Sequence, residues 1–137
     1  MTLGIVRVDD GWRVPALRGL GVSELVIDDR LRLRMESNEI MLCSGAELVA
    51  DERAYGLSAW PQTNLGKATE LLRQAVAEVS VSDQGALRVL FAGGWRLLVP
   101  TNDERSAWTV TVRDHGVLTA KPGGGVAVSD PGSETSS

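Results

Sequence analysis

Few side chains in this sequence have chemical reach. Cys43 is the one cysteine and His115 the one histidine. With Asp114 they could form a thiol nucleophile, its base and an orienting carboxylate, a constellation that needs hydrogen-bond contact and a lowered thiol pKa. Nothing in their spacing brings them together. Cys43 ends an apolar run, where a free cysteine usually behaves as a small hydrophobe, and His115 lies in an Asp-His-Gly turn signal. A lone cysteine forms no intramolecular disulfide, and with one histidine it cannot build a Cys-rich zinc site. Pro122 to Gly125 is glycine-rich, but a phosphate-cradling loop normally opens a helix. A short valine run follows instead, so a β-turn is expected there, and likewise at Gly93-Gly94. The acidic pairs Asp9-Asp10, Asp28-Asp29, Asp51-Glu52 and Asp103-Glu104 match no calcium-loop spacing. They fall near strand ends, where turn chemistry explains them. The expectation is no catalytic residue, no metal and no cofactor.

Residues suited to gripping a partner are more numerous. In the run Arg30-Leu31-Arg32-Leu33-Arg34-Met35, strand alternation places three guanidinium groups on one face, about 6.7 Å apart. Such a row could hold a carboxylate-rich or phosphorylated partner. The plainer expectation is a solvated outer face neutralised by Glu24, Asp28 and Glu36. Four of the six aromatic residues are tryptophans. Trp95 and Trp108 lie in strand patterns and are expected in the core. Trp12, Tyr55 and Trp60 lie in less regular segments and could anchor an interface, where tryptophan is enriched. The candidate partner-binding set is therefore Trp12, Tyr55, Trp60, Arg30, Arg32 and Arg34.

These side chains need a scaffold, and the sequence pattern suggests one. Leu3 to Val8 reads as a short strand closed by Asp9-Asp10-Gly11, while Pro15 and Gly19 interrupt Trp12 to Leu20. Val22 to Ile27 and Arg30 to Met35 form a hairpin. If Ile27 pairs with Leu31, then Leu25 faces Leu33 and Glu24 faces Arg34, putting apolar on apolar and opposite charges together. Ser37-Asn38 turns the chain into Glu39 to Cys43, and Ser44-Gly45 separates that strand from Ala46 to Ala50. Asp51 to Thr63 reads as a loop. Leu65, Ala68, Leu72, Ala75, Val76 and Val79 recur at helical spacing, predicting a helix over 65–77 with Thr63 or Asn64 as N-cap. Further strands follow around Val79 to Val81, Leu87 to Phe91, Trp95 to Val99, Trp108 to Val112, Val117 to Ala120 and Val126 to Val128. Ser129 to Ser137 is small, polar and acidic, and reads as a disordered tail.

The chain has 137 residues, 43% of them hydrophobic and 23% charged, proportions of a single globular domain. A net charge of −4 disfavours nucleic-acid binding, which needs a basic face. The N-terminus lacks signal-peptide features, and no apolar run approaches the ~20 residues that span a bilayer. The expected location is cytoplasmic, with no membrane association.

The second half carries a family resemblance. Gly85-Ala86-Leu87 opens one strand, and Gly94-Trp95-Arg96-Leu97 opens another that ends in Val99-Pro100. Asn102-Asp103-Glu104, Ala107-Trp108 and the Pro122-to-Val128 turn and strand follow. In these features the chain resembles an uncharacterised actinobacterial small-protein family, domain of unknown function 6188. The Ala50-to-Pro61 connection departs from the family's pattern, as does the absence of a tryptophan after Ala127-Val128. The resemblance implies a fold and no catalytic residues. What the resemblance implies about role is an immunity-type partner of a polymorphic toxin.

The expected architecture is α+β: a largely antiparallel, meander-like sheet of six to eight strands over residues 1–128, with one main helix packed on it. An all-β barrel with a peripheral 65–77 segment is the competing class. The expected core comprises Leu25, Ile27, Leu31, Leu33, Leu72, Val76, Leu87, Val89, Trp95, Leu97, Trp108 and Val110. The expected function is a non-catalytic protein-interaction module, immunity-type or regulatory, whose partner is another protein. The alternative is a small enzyme or ligand-binding domain.

Overall fold

Alternation of apolar and polar residues dominates this sequence, and it is realised as β-structure. The computed structural model describes residues 4–59 and 62–129. Among them are thirteen strands: β1 (Val6–Val8), β2 (Gly11–Arg13), β3 (Glu24–Ile27), β4 (Leu31–Met35), β5 (Asn38–Leu42), β6 (Ala46–Ala50), β7 (Arg53–Leu57), β8 (Val76–Ser82), β9 (Leu87–Phe91), β10 (Arg96–Val99), β11 (Trp108–Val112), β12 (Gly116–Ala120) and β13 (Val126–Ser129). They form two sheets, one ordered β1-β2-β8-β9-β10-β6-β7 and the other β13-β12-β11-β5-β4-β3. All pairings are antiparallel.

Period-2 alternation gives each strand one face toward the core. Leu31, Leu33, Ile40, Leu42, Trp108, Val110 and Leu118 of the second sheet are buried in the same cluster as Leu48, Val79, Val81, Leu87, Val89 and Leu97 of the first. The two sheets therefore enclose one core. Trp108 is fully buried and donates its indole N–H to the Gly85 carbonyl at 2.8 Å, tying the second sheet to the β8–β9 turn of the first. That turn permits no side chain at its glycine. Gly85 sits at φ +99, and a Cβ there would lie 2.7 Å from the Gly125 oxygen.

The single α+β sheet expected from the sequence is thus corrected to a pair of sheets with little helix. The 65–77 helix is reduced to α1 (Leu65–Ala68) and a 3-10 turn at Thr69–Leu71. Leu72 leaves helical geometry (ψ 133) and Arg73 takes φ +73. The segment is then drawn into sheet pairing, with the Arg73 N–H donating to Val22 O and the Val76 N–H to Leu20 O. Val76, Val79 and Val81, read as the end of an amphipathic stripe, are the buried face of β8. β-Branched side chains favour that outcome. Asn64 is the N-cap residue, but its side-chain amide donates to Gly56 O at 2.7 Å and does not cap α1.

The Asp51-to-Thr63 loop is a second correction, because it contains β7. Asp51 (φ 52) and Glu52 (φ 69) both adopt left-handed conformations and close a two-residue hairpin between Ala50 and Arg53, the geometry of a type I′ turn. Of the expected core, Ile27 (37% exposed) and Leu72 (39%) are on the surface, and Leu25 and Trp95 are half-buried. Ile27 has the right face but stands on edge strand β3, while Leu72 lost its helix. The β3–β4 hairpin has the expected register: Ile27 opposite Leu31, Leu25 opposite Leu33 and Glu24 opposite Arg34. Ser129 ends β13, and the remainder of the expected tail lies outside the described residues.

Candidate functional site

The sequence-level triad does not assemble. Cys43 follows β5, and its N–H donates to the Ala107 carbonyl just before β11. His115 lies in the turn after β11, with its N–H on Val112 O. The two are thus at opposite ends of one strand, roughly 17 Å apart at ~3.4 Å per residue. The His115 ring instead packs against Gly4, where a Cβ would come within 2.1 Å of it. Burial pushes the Cys43 thiol above its ordinary pKa, partly opposed by Arg30, Arg105 and Arg32. That direction disfavours a thiolate nucleophile.

The other motifs are spent on turns. The N–H groups of Gly123, Gly124 and Gly125 donate to Asn102 O, Lys121 O and Gln84 O, leaving the loop no amide for a phosphate. Asp28 Oδ1 accepts the Arg30 N–H at 2.8 Å, and this bond holds the Asp28 carboxyl below its usual range. Asn102 Oδ1 accepts the N–H groups of Glu104 and Arg105. Among the described residues, no group of three or more His, Cys, Asp or Glu side chains is placed to hold a metal. No helix among them is long and apolar enough to cross a membrane.

The arginine row divides. On the outer face of the second sheet, Arg34 pairs with Glu24 at 2.9 Å and with Glu39 at 3.6 Å. The bond to Glu24 pushes the Arg34 pKa up. Arg32 stands 3.8 Å from both Asp28 and Glu39. Its buried Nε makes no hydrogen bond among the described residues, so that contact is electrostatic only. Glu39, which faces Arg34 across β4 and β5, takes the place expected for Glu36, which sits in the turn with φ 56.

Arg30 precedes β4 and is exposed. Its guanidinium makes a long 3.9 Å approach to Met41 Sδ. It lines a cleft of about 180 Å³ with Cys43, Ser44, Ser58 and Arg105. The same Arg30, Cys43 and Arg105 line an adjoining groove of about 580 Å³, floored by Met41, Thr109 and Thr119 of the sheet. Met41 and Thr119 both stand opposite Thr109, so the three form one row across β5, β11 and β12. No carboxylate among the described residues comes within ion-pair distance of Arg30 or Arg105. Asp29 lines the cleft and Glu104 the groove, each beyond ion-pair distance of the two guanidinium groups.

The aromatic candidates are engaged within the chain. Trp12 is half-buried, with the Arg7 guanidinium 4.3 Å from its ring centre. Arg7 is itself paired with Asp83 at 2.5 Å. Tyr55 and Trp95 flank the Lys67 ammonium at 4.8 and 4.6 Å, and Glu70 pairs with it at 3.4 Å. Trp60 lies outside the described residues. Sequence reasoning missed Arg105. It lies far along the chain from Arg30, and the β5–β11 pairing, continued by the bond from Cys43 to Ala107, brings the two loops together.

Fold and cleft together define a small two-sheet β-protein with an arginine-flanked groove on the outer face of its second sheet. The chain belongs to DUF6188, a family of unknown function, whose model matches residues 13–130. No curated protein and no solved structure matches the chain.

Proposed function

We propose that this chain is a non-catalytic protein-interaction module, an immunity-type or regulatory binding protein that meets its protein partner in the cytoplasm. The observation that supports the reading is the exposed pair Arg30 and Arg105 beside a groove, neither of them within ion-pair distance of a carboxylate among the described residues. Guanidinium groups present five donors in a planar fork and are enriched among residues that dominate interface energetics. Arg30 and Arg105 are the principal contacts and Trp12, Tyr55 and Trp60 the wider set, while Arg32 and Arg34 of the sequence-derived set are held by Asp28, Glu24 and Glu39. The enzyme alternative is weakened by the distance between Cys43 and His115 and by the raised thiol pKa.

The test is affinity capture from native lysate with the unaltered chain and an Arg30→Gln/Arg105→Gln variant. The expected result is a stable partner retained by the former and lost by the latter, at equal thermal midpoints. Recovery of no partner, together with Cys43-dependent turnover of a small molecule, would replace this reading with the enzyme.

A further inference from the structure

The two sheets end in four edge strands, β1 and β7 in the first and β13 and β3 in the second. An edge offers backbone N–H and C=O groups to any strand that can pair with it, and proteins ordinarily blunt it. Three of the four are blunted. α1 packs against β7, and the Gly56 carbonyl of that strand accepts the Asn64 side-chain amide. β1 is three residues long and carries the Arg7–Asp83 ion pair at its centre. β3 is bracketed by Glu24, Asp28 and Asp29. Pairing of β3 with its own copy about Val26 would set Glu24 opposite Asp28, like charge against like.

β13 has none of these devices, and no charged residue lies from Pro122 to Ser129. The Lys121 N–H donates to the Gly125 carbonyl, which makes that pair a hydrogen-bonded position of the β12–β13 ladder. Alternation then turns the backbone groups of Ala127 and Ser129 toward β12, and those of Val126 and Val128 away from it. Nothing among the described residues bonds to these outward groups. The side chains of Val126 and Val128 lie on the core-facing side, opposite buried Ala120 and Leu118. Val128 is nevertheless 46% exposed. The apolar row Leu25, Leu33, Ile40, Val110, Leu118 and Val128 crosses all six strands of the second sheet and ends uncovered at β13.

We propose that β13 pairs antiparallel with β13 of a second copy of this chain, about a two-fold axis at Ala127. In that register Val126 stands opposite Val128 of the copy. The outward groups of both strands are then satisfied by four hydrogen bonds, two at each valine pair. Each Val128 is covered by a valine, and the core rows run on into the copy. Ala127 meets itself at a non-hydrogen-bonded position, where Cα atoms approach to about 4.5 Å and a methyl group fits. The self-complementary Val-Ala-Val sequence selects a second copy over a foreign strand, and the isologous contact closes as a dimer. On the outer face Met41, Thr109, Thr119 and Ala127 form one row, so the two groove floors join across the axis. The two Met41 residues stand seven strand spacings apart, about 34 Å, and each end of the joined floor carries an Arg30–Arg105 pair. A four-residue edge is only about 13 Å long, so the dimer is weak and forms with concentration.

Sedimentation velocity on the full chain should show a monomer–dimer equilibrium. Val128→Pro removes an outward N–H and leaves the β12 ladder whole, a placement that edge strands tolerate. It should raise the midpoint concentration roughly tenfold or more, since two intermolecular hydrogen bonds are lost, at an unchanged thermal midpoint in dilute solution. Ile27→Lys, on β3, should leave the equilibrium as it is. In a Cys43→Ser background, Ala127→Cys should form an interchain disulfide, because the Cα separation at the axis is within disulfide reach. Ser129→Cys, about 13 Å from its copy in this register, should not. A monomer at every concentration would overturn the proposal. So would a dimer indifferent to Val128→Pro, a dimer lost in Ile27→Lys, or crosslinking of Ser129→Cys as ready as that of Ala127→Cys.

Discussion

Arg30, Arg32 and Arg34 belong to one alternating run, yet they end in two different electrostatic states. Arg32 and Arg34 lie within or beside carboxylate contacts from Asp28, Glu24 and Glu39. Arg30, just outside β4, reaches no carboxylate among the described residues and lines a recess with Arg105. The strand that orders the first two also supplies their counter-charges, because antiparallel registry sets Glu24 and Glu39 on either side of Arg34. The turn residue escapes that registry. A row of like charges in a sequence is therefore not a unit of function. What the neighbouring strands place beside each member decides which one is left to meet a ligand.

The largest effect that sharpens this contrast comes from beneath the row. Leu33 lies between Arg32 and Arg34 but points inward and is 0% exposed. Leu33→Ala should cost about 2–5 kcal/mol in denaturant unfolding, the range for a buried leucine. Arg30→Ala, at an exposed turn, should leave the unfolding midpoint in place. A Leu33→Ala cost close to that of Arg30→Ala would contradict the inner-face assignment of β4.

A smaller effect concerns pH. Burial disfavours the thiolate and holds the Cys43 thiol above its ordinary pKa in the folded chain, while Arg30 and Arg105 pull it back. Above about pH 9 the unfolded chain therefore loses this proton first, and folding stability declines as pH rises. Cys43→Ser should remove that part of the alkaline decline. In an ultraviolet thiolate titration, Arg30→Gln/Arg105→Gln should move the midpoint further up, whereas Arg34→Gln should not. A downward shift in the double variant would mean that the guanidiniums do not face the thiol.

The smallest effect is the pairing of Arg34 itself. Arg34 and Glu24 are well exposed, and exposed pairs contribute little. A double-mutant cycle of Arg34→Ala and Glu24→Ala should show a slight favourable coupling that vanishes in high salt. Coupling that persists in molar salt would mean that the paired row is more than a solvated face.

The β3–β4 hairpin was legible in the sequence to the residue, since alternation, an Asp-Asp turn and charge matching all pointed to one register. Local signals agreed there, and the fold used them. They misled over 65–77, where the three-residue spacing of Val76 and Val79 is brought onto one buried face of β8 by a register shift between Val76 and Glu78. Arg73 bonding to Val22 and Val76 bonding to Leu20 are long-range events with no local mark. β7 was hidden because Asp51 and Glu52 occupy left-handed positions more usual for Asn-Gly. Half of the recess was visible as Arg30. The other half, Arg105, depends on the approach of Cys43 to Ala107, which no spacing in the chain encodes.

Arg30 and Arg105 stand open, whereas Arg32 and Arg34 are closed by carboxylates, and the binding reading depends on that division. Nitrogen-15 NMR of the arginine Nε–Hε groups during titration with hexaglutamate tests it directly. The resonances of Arg30 and Arg105 should shift together along one binding curve, with those of Arg32 and Arg34 nearly still. Equal shifts at all four arginines, or shifts at Arg32 and Arg34 alone, would contradict it.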